Sequence, residues 1–170
     1  MMSRAPISAA LLLALVSLTA CGLHPLYSSG SSSPAAAVLR SVMVAPIAGQ
    51  SGWLIRNKLV DRLGEAGGGS PAYRLDVTLD DNITSFGIRG DRAATRERRT
   101  LRARYQLVDL SNGMVLIDAT AGSDAGIDIV SSEYATVAAE QTALENLADN
   151  VADQIVARLA LYSSRTAPGG

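Results

Sequence analysis

The sequence contains a single cysteine and a single histidine, and this scarcity excludes several kinds of site. Cys21 has no second cysteine in the chain with which to form a disulfide. His24 has neither a second histidine nor another cysteine to complete a zinc site. It also lies beside Cys21, away from Ser131 and Ser132, so triad chemistry lacks its base. We therefore expect no enzymatic activity, no metal and no cofactor.

Two further motifs are incomplete. Gly67-Gly68-Gly69 lack the Lys-Ser/Thr pair of a phosphate-binding loop, and they close a predicted helix instead of opening one. The acidic pairs Asp80-Asp81 and Asp124/Asp128 do not have the spacing of an EF-hand loop. Solvated surface carboxylates are the simpler interpretation of both pairs.

Long apolar runs and an excess of one charge are also lacking. No stretch after residue 22 is long and apolar enough for a transmembrane helix. The 15 basic and 16 acidic residues nearly cancel, and the net charge is −1. Such a balance does not favour a nucleic-acid-binding protein, so an electrostatic function would have to come from local clustering.

What the chain does have is the pattern of a lipoprotein signal over its first 21 residues. Arg4 is the only charged residue before Cys21, and the segment from Ala5 to Val16 is apolar except for one serine. A short cationic region, a short apolar core and small residues before a cleavage site are typical of a signal peptide. Leu18-Thr19-Ala20-Cys21 resembles the lipobox of bacterial lipoproteins. We predict a signal peptide at residues 1–20 and acylation of Cys21, with palmitate among the acyl chains.

The residues after Cys21 predict a location and a domain organisation. By resemblance to enteric sorting signals, an Asp next to the cysteine would retain the protein in the inner membrane, and Gly22 stands there instead. We therefore predict the periplasmic side of the outer membrane in a Gram-negative cell. Small residues at 28–37 are typical of a flexible tether. The predicted organisation is a lipidated terminus and tether at 21–38, a folded domain at 39–163 and a disordered tail at 164–170.

Hydrophobic periodicity predicts four strands and two helices in the folded domain. Tyr73–Leu79 alternates apolar and polar residues with the period of a half-buried strand, and Asn112-Gly113 favours a hairpin turn. Ser131 or Ser132 is positioned to cap the last helix. The predicted elements are strands at 40–47, 73–79, 100–108 and 115–121, a helix from a Ser51 cap to the glycines at 67–69, and a long helix after Ser131 or Ser132.

This order, β-α-β-β-β-α, predicts an α+β fold. Strands with one apolar face must bury that face against another element. We therefore expect a two-layer sandwich with a four-stranded, mostly antiparallel sheet covered on one face by two helices. Trp53 is expected in the core or at its rim, where an aromatic residue could also anchor a partner. The apolar stripe expected to face the sheet from the last helix consists of Tyr134, Val137, Gln141, Leu144, Val151, Ile155, Leu159 and Tyr162.

The segment Cys21-Gly22-Leu23-His24-Pro25-Leu26-Tyr27 resembles the mature start of the alphaproteobacterial branch of the LPS-assembly lipoprotein LptE family. The family pattern reads Cys-Gly-Phe-x-Pro-Leu-Tyr, so Leu23 departs from it while keeping an apolar side chain. The strand that begins at Tyr73 and Ser132-Glu133-Tyr134-Ala135 at the last helix are compatible with the family.

The resemblance implies a non-enzymatic role. Family members plug a large β-barrel partner, LptD, at the inner face of the outer membrane. They help the barrel to assemble, and with it they move lipopolysaccharide to the cell surface. The family fold is an α/β sandwich of the kind that the periodicity predicts. The alternative is a periplasmic accessory lipoprotein of an ABC-type lipid transport system, because the same anchor and a small α+β domain would serve there.

Arginines are concentrated in one short segment, and we take them as candidate ligand- or partner-binding residues. Arginine presents a planar donor fork that suits phosphates and carboxylates. Lipopolysaccharide carries such groups, so ligand contact is one interpretation, and contact with acidic groups of a barrel is a second. In the third, the arginines pair with Asp76, Asp80 and Asp81 or keep a loop soluble. The candidate residues are Arg89, Arg92, Arg96, Arg98, Arg99, Arg102 and Arg104, and Arg102 and Arg104 are expected on the polar sheet face.

Overall fold

The computed structural model of the chain describes residues 34–64, 70–88 and 94–166. Cys21, His24, Gly67-Gly68-Gly69, Arg89 and Arg92 lie outside these residues. The elements in chain order are helix α1 (Pro34–Arg40), strand β1 (Val42–Val44), helix α2 (Gly49–Leu63), strands β2 (Tyr73–Ile88), β3 (Ala94–Asp109) and β4 (Val115–Asp128), and helix α3 (Glu133–Thr166).

The four strands form one sheet in the order β1-β2-β3-β4. Strand β1 is parallel to β2, and the other neighbours are antiparallel. Helices α2 and α3 lie side by side, joined by Gln50 to Gln141 at 3.1 Å and by Arg62 to Asp153 at 2.6 Å. The predicted α+β fold with a four-stranded, mostly antiparallel sheet is confirmed. No helix in the described parts of the chain is both long and apolar enough to cross a membrane.

Alternation along the strands determines which side chains enter the core. The predicted apolar face of β3 is confirmed, because Leu101, Ala103, Tyr105 and Leu107 are all buried. From β2, Leu75 is buried, and from α3, Ile155 is among the largest fully buried side chains. The core therefore lies between one sheet face and the two long helices, and the opposite sheet face is left for polar residues.

Helix α2 begins and ends earlier than predicted. Its N-cap is Ala48, which makes no side-chain cap hydrogen bond, so the predicted Ser51 cap is wrong and Ser51 lies inside the first turn. A Cβ at Gly52 would stand 2.7 Å from the Ile47 oxygen, so the helix can start this close to the preceding chain only with glycine there. At the other end, Gly64 adopts φ 66° and donates its N–H to Val60.

Strands β2, β3 and β4 all extend well beyond the predicted boundaries at one end of the sheet. We call this end the distal arm, formed by residues 80–88, 94–100 and 122–128. Its pairing remains regular, with Asp80 opposite Arg102 and Arg98 opposite Gly126. The prediction stopped short because apolar alternation fades there, whereas the backbone ladder continues across polar side chains.

The predicted hairpin between β3 and β4 is confirmed. Asp109 donates its N–H to Met114 at 2.9 Å and accepts the N–H of Gly113 at 2.8 Å, and Gly113 has φ 74°. The Asp109 carboxylate also accepts hydrogen bonds from the hydroxyl and N–H of Ser111, which lower the pKa of Asp109. A register shift between Leu107 and Val108 precedes this turn.

Both ends of the described chain are more helical than predicted. Helix α1 (Pro34–Arg40) begins within the predicted tether at 21–38 and ends within the predicted domain, where its Leu39 packs against the core. Helix α3 continues to Thr166, whose hydroxyl donates to the Tyr162 carbonyl at 2.7 Å, so the helix includes residues 164–166 of the predicted tail. The predicted tail residues 167–170 lie outside the described ones.

The apolar stripe of α3 is confirmed only in part. Leu144, Val151, Ile155 and Leu159 are buried, and Gln141 and Tyr162 are half-buried. Tyr134 and Val137 are 85% and 56% exposed, so their assignment to the core is wrong. Gln50, near the start of α2, lies beside Gln141. The first two turns of α3 therefore lie beyond the N-terminus of α2, which does not cover them.

Candidate ligand- and partner-binding surface

The sheet face opposite the helices carries a line of arginines. Strand β3 lies between β2 and β4, and its even-numbered residues point to this outer face because the odd-numbered ones fill the core. The predicted polar-face position of Arg102 and Arg104 is therefore confirmed. We call Arg96, Arg98, Arg102 and Arg104, all of which are exposed, the arginine column.

Two members of the arginine column are held by carboxylates of β4. Arg104 donates two hydrogen bonds to Asp118, at 3.2 and 2.9 Å. Asp118 also accepts one from Gln106, and these bonds, led by that from Arg104, lower the pKa of Asp118 to about 2. Arg96 donates to Asp128 at 2.8 Å, with both side chains mostly exposed.

The other two members make no ion pair within the described parts of the chain. Arg98 places its guanidinium 5.6 Å from the centre of the Phe86 ring, which holds the cation over an aromatic face. Arg102 stands opposite Asp80 in the register, yet no ion pair joins them. Their donor groups are therefore available to an anion that approaches the outer face.

Arg102 lies across Gly122, its partner residue on β4. A Cβ at Gly122 would stand 2.5 Å from Cδ and 2.6 Å from Nη1 of Arg102. Glycine at this position therefore leaves room for the guanidinium to lie flat along the sheet instead of being pushed outward. On the far side of β4, Gln154 exchanges two hydrogen bonds with the Gly122 backbone, at 3.2 and 3.1 Å.

Arg99 faces the opposite way and is a structural residue in this fold. Its side chain and that of Asp81 are 14% and 19% exposed, and the two groups form two hydrogen bonds at 2.9 and 2.7 Å. Arg99 also donates to the Glu140 carbonyl of α3 at 3.2 Å. The hydrogen bond to Asp81 raises the pKa of Arg99. Arg99 thus connects β2, β3 and α3 on the inner face, away from the arginine column.

Glu97 also points to the inner face of the distal arm. One carboxylate oxygen accepts the Ser85 hydroxyl at 3.0 Å, and the other is buried with no hydrogen-bond partner among the described residues. The inner face of the arm therefore mixes these polar groups with apolar ones, since Ile83 and the buried Ile127 lie on it as well. The apolar core does not continue into it at these positions.

The acidic residues of the sequence analysis have separate surroundings. Of the three that could pair with the arginine segment, Asp81 does so through Arg99, whereas Asp76 pairs with Arg74 at 2.9 Å. Asp80 forms no ion pair within the described residues. No group of three potential metal ligands occurs in the described ranges.

The remaining candidate residues are placed as follows. Ser132, and not Ser131, caps α3 by accepting the Ala135 N–H at 3.4 Å. Trp53 is 62% exposed on α2, so it is not a core residue, and its role as a rim residue or as an anchor for a partner stays a prediction. Sequence reasoning missed Phe86 under Arg98 and Gly122 beside Arg102, because both contacts depend on cross-strand register.

Solved structures share this architecture. A protein of Caulobacter crescentus described as a lipoprotein is 28% identical, with a TM-score of 0.65 over 81% of this chain and 100% of its own. Rare lipoprotein B of Shewanella oneidensis (7% identity, TM-score 0.57, covering 73% and 96%) and a minor lipoprotein of Acinetobacter baumannii (14%, 0.59, 72% and 92%) share the fold. The fold is thus one found in bacterial lipoproteins.

The family follows from the sequence itself. The profile of the LptE family, described as lipopolysaccharide-assembly, matches residues 39–159. The chain belongs to this family of lipopolysaccharide-assembly lipoproteins. No curated protein matches it.

Proposed function

We propose that the protein is a lipid-anchored, non-enzymatic component of the outer-membrane complex that assembles lipopolysaccharide. Acylated Cys21 holds it on the periplasmic side of the membrane, and residues 21–33 link the anchor to the folded domain. The domain plugs a β-barrel of the LptD type and supports the assembly of that barrel. Membership of the lipopolysaccharide-assembly family supports this proposal.

Within this proposal, the arginine column is the surface offered to lipopolysaccharide. The observation that carries it is the availability of Arg98 and Arg102, which have no carboxylate partner among the described residues, on an exposed sheet face. Guanidinium groups bind phosphate with two parallel hydrogen bonds, and lipopolysaccharide carries phosphates on its lipid A. Arg96 and Arg104 are already paired, and they hold the carboxylates of Asp128 and Asp118 beside this surface.

Purification of the tagged full chain from its own membranes tests the partner. We expect a large β-barrel protein to co-purify, and we expect less of it with Cys21→Ser, which removes the acylated group. Recovery of an inner-membrane ABC transporter instead would contradict the proposal and support the accessory-lipoprotein alternative.

Photocrosslinking in cells tests the ligand surface. A photoreactive residue at Thr100, which lies on the outer face between Arg98 and Arg102, should form adducts with lipopolysaccharide. The matched control is Trp53, which is well exposed but lies in the helix layer. Equal adduct formation at both positions, or none at Thr100, would contradict the assignment.

A further inference from the structure

Strand β2 is an edge strand along most of its length. Strand β1 pairs only with Tyr73 to Leu75, and the Ala45 N–H adds one hydrogen bond to the Leu75 carbonyl at 3.0 Å. Beyond that point, no described segment pairs with this side of β2. The distal arm is therefore a three-stranded sheet with β2 at one edge and β4 at the other.

The hydrogen bonds between β2 and β1 show which backbone groups of β2 point toward this edge. The Tyr73 N–H and the Leu75 carbonyl bond toward β1, at 3.2 and 3.0 Å to Ser41 and Ala45. In a strand, the N–H and C=O of one residue point toward the same neighbouring strand, and those of the next residue point to the opposite side. Within residues 79–85, which we call the free edge, the residues that direct them to the empty side are Leu79, Asp81, Ile83 and Ser85.

The free edge has little of the protection that edge strands usually have, because its one inward-pointing charge, Asp81, is paired with Arg99. Proline, lysine and covering side chains are the common means by which proteins prevent further pairing. The β4 edge has such a cover, since the Gln154 amide bonds both backbone groups of Gly122. Residues 79–85 contain neither proline nor lysine, and no described side chain bonds their edge-facing backbone.

Side chains along the edge define what could pair there. Leu79 is half-buried and Ile83 is 39% exposed on the inner face, so an added strand would need apolar residues beside them. Asp80 points to the outer face with no ion pair among the described residues. Symmetric antiparallel pairing with a second copy is disfavoured where it is centred on Asp80 or Asp81, because the carboxylates of both copies then come together.

We propose that the free edge binds an extended segment of a partner protein, which adds a fifth strand to the sheet next to β2. The segment alternates apolar residues, packed beside Leu79 and Ile83, with polar residues, and it carries a lysine or arginine beside Asp80. Backbone hydrogen bonds hold the segment, and the alternating side chains select it. This interaction goes beyond lipopolysaccharide binding and requires neither that ligand nor the barrel.

Amide hydrogen exchange measured by NMR on the full chain tests the proposal at the level of single residues. The probe is a synthetic eight-residue peptide that alternates valine and threonine, with one central lysine. In the free protein, the amides of Leu79, Asp81 and Ile83 should exchange fast, and those of Asp80 and Asn82 slowly. With peptide, the fast set should slow by at least about tenfold. Slow exchange of the fast set in the free protein, or no change with peptide, would overturn the proposal.

Two variants separate strand addition from other peptide binding. Ile83→Pro removes an edge-facing N–H and keeps the β2–β3 ladder, so it should weaken peptide binding by at least about fivefold. Asp80→Lys should weaken binding of the lysine peptide and restore it when the peptide carries glutamate instead. Unchanged affinity in either folded variant, or equal binding of a peptide methylated on alternate backbone nitrogens, would contradict strand addition.

Discussion

One sheet of this protein is stabilised in two different ways along its length. Near β1, the inner face is filled by Leu75, Leu107 and the buried stripe of α3. In the distal arm the same strands keep their register, yet the inner face holds the Arg99–Asp81 pair and Glu97. The comparison teaches that a ladder of backbone hydrogen bonds can extend past its apolar core where ion pairs replace burial.

The part of the sheet near β1 and the distal arm also differ in which of their polar groups remain free to bind a partner. Near β1, at the core end, the charged groups of the outer face pair with one another, as in Arg74–Asp76 and Arg104–Asp118. The distal arm presents Arg98 on its outer face, Arg102 lies next to the arm on the same face, and the β2 edge of the arm carries unpaired backbone groups. Residues that bind partners must remain accessible, so the arm is the part of the molecule where binding can be expected.

The largest expected effect comes from the core end. Ile155→Ala should lower the free energy of unfolding by about 2–5 kcal/mol, because Ile155 is fully buried. The matched change in the arm, Ile83→Ala, should cost less than about 0.5 kcal/mol, because Ile83 is exposed. Chemical denaturation followed by circular dichroism measures both. Similar losses for the two variants would show that the arm is packed like the core.

Removing the inner ion pair of the arm should have an intermediate effect. Arg99→Met leaves the largely buried Asp81 carboxylate without its partner, and we expect a loss of about 2 kcal/mol. Arg96→Met breaks an exposed pair and should cost much less. The double variant Arg99→Met/Asp81→Leu should recover most of the stability. If the single and double variants are equally destabilised, the pair does not stabilise the arm as described.

A smaller effect is expected for the exposed pair of Arg104 and Asp118. The pKa of Asp118 is lowered from 3.8 to about 2, so its contribution to stability is complete above the unfolded value and is lost as the pH falls toward 2. Asp118→Asn should therefore be less stable than the wild type at neutral pH, and most of this difference should be gone at pH 2, where the folded wild type is already half protonated at Asp118. Unfolding curves at neutral pH, pH 3 and pH 2 measure this. A difference that persists unchanged at pH 2 would contradict the role of this titration.

Much of the fold could be predicted from the sequence, because alternation and helical periodicity report burial directly. Leu101, Ala103, Tyr105 and Leu107 fell into the core as their spacing indicated. The same signal missed the distal arm, where Asp81 and Arg99 occupy inward positions that apolar residues would normally fill. It also placed Tyr134 in the core, because periodicity along α3 contains no information on where α2 begins.

The candidate site could be predicted only as a group of arginines. Alternation along a strand indicates which arginines point outward, and this prediction is correct for Arg102 and Arg104. Which of them are already paired depends on the register with β2 and β4. Arg98 over Phe86 and Arg102 across Gly122 arise from that register, since the partner residues are distant in sequence.

The most direct test of the central claim compares two pairs of arginines that carry the same charge. Lipopolysaccharide binding to the full chain should weaken by about tenfold or more in Arg98→Gln/Arg102→Gln at low salt, since two charge-assisted contacts are lost. It should weaken less than about threefold in Arg96→Gln/Arg104→Gln, whose arginines are already held by carboxylates. Added salt should narrow the difference. Equal affinity of the wild type and Arg98→Gln/Arg102→Gln would contradict the claim that the available arginines of the distal arm and the adjoining sheet bind the ligand.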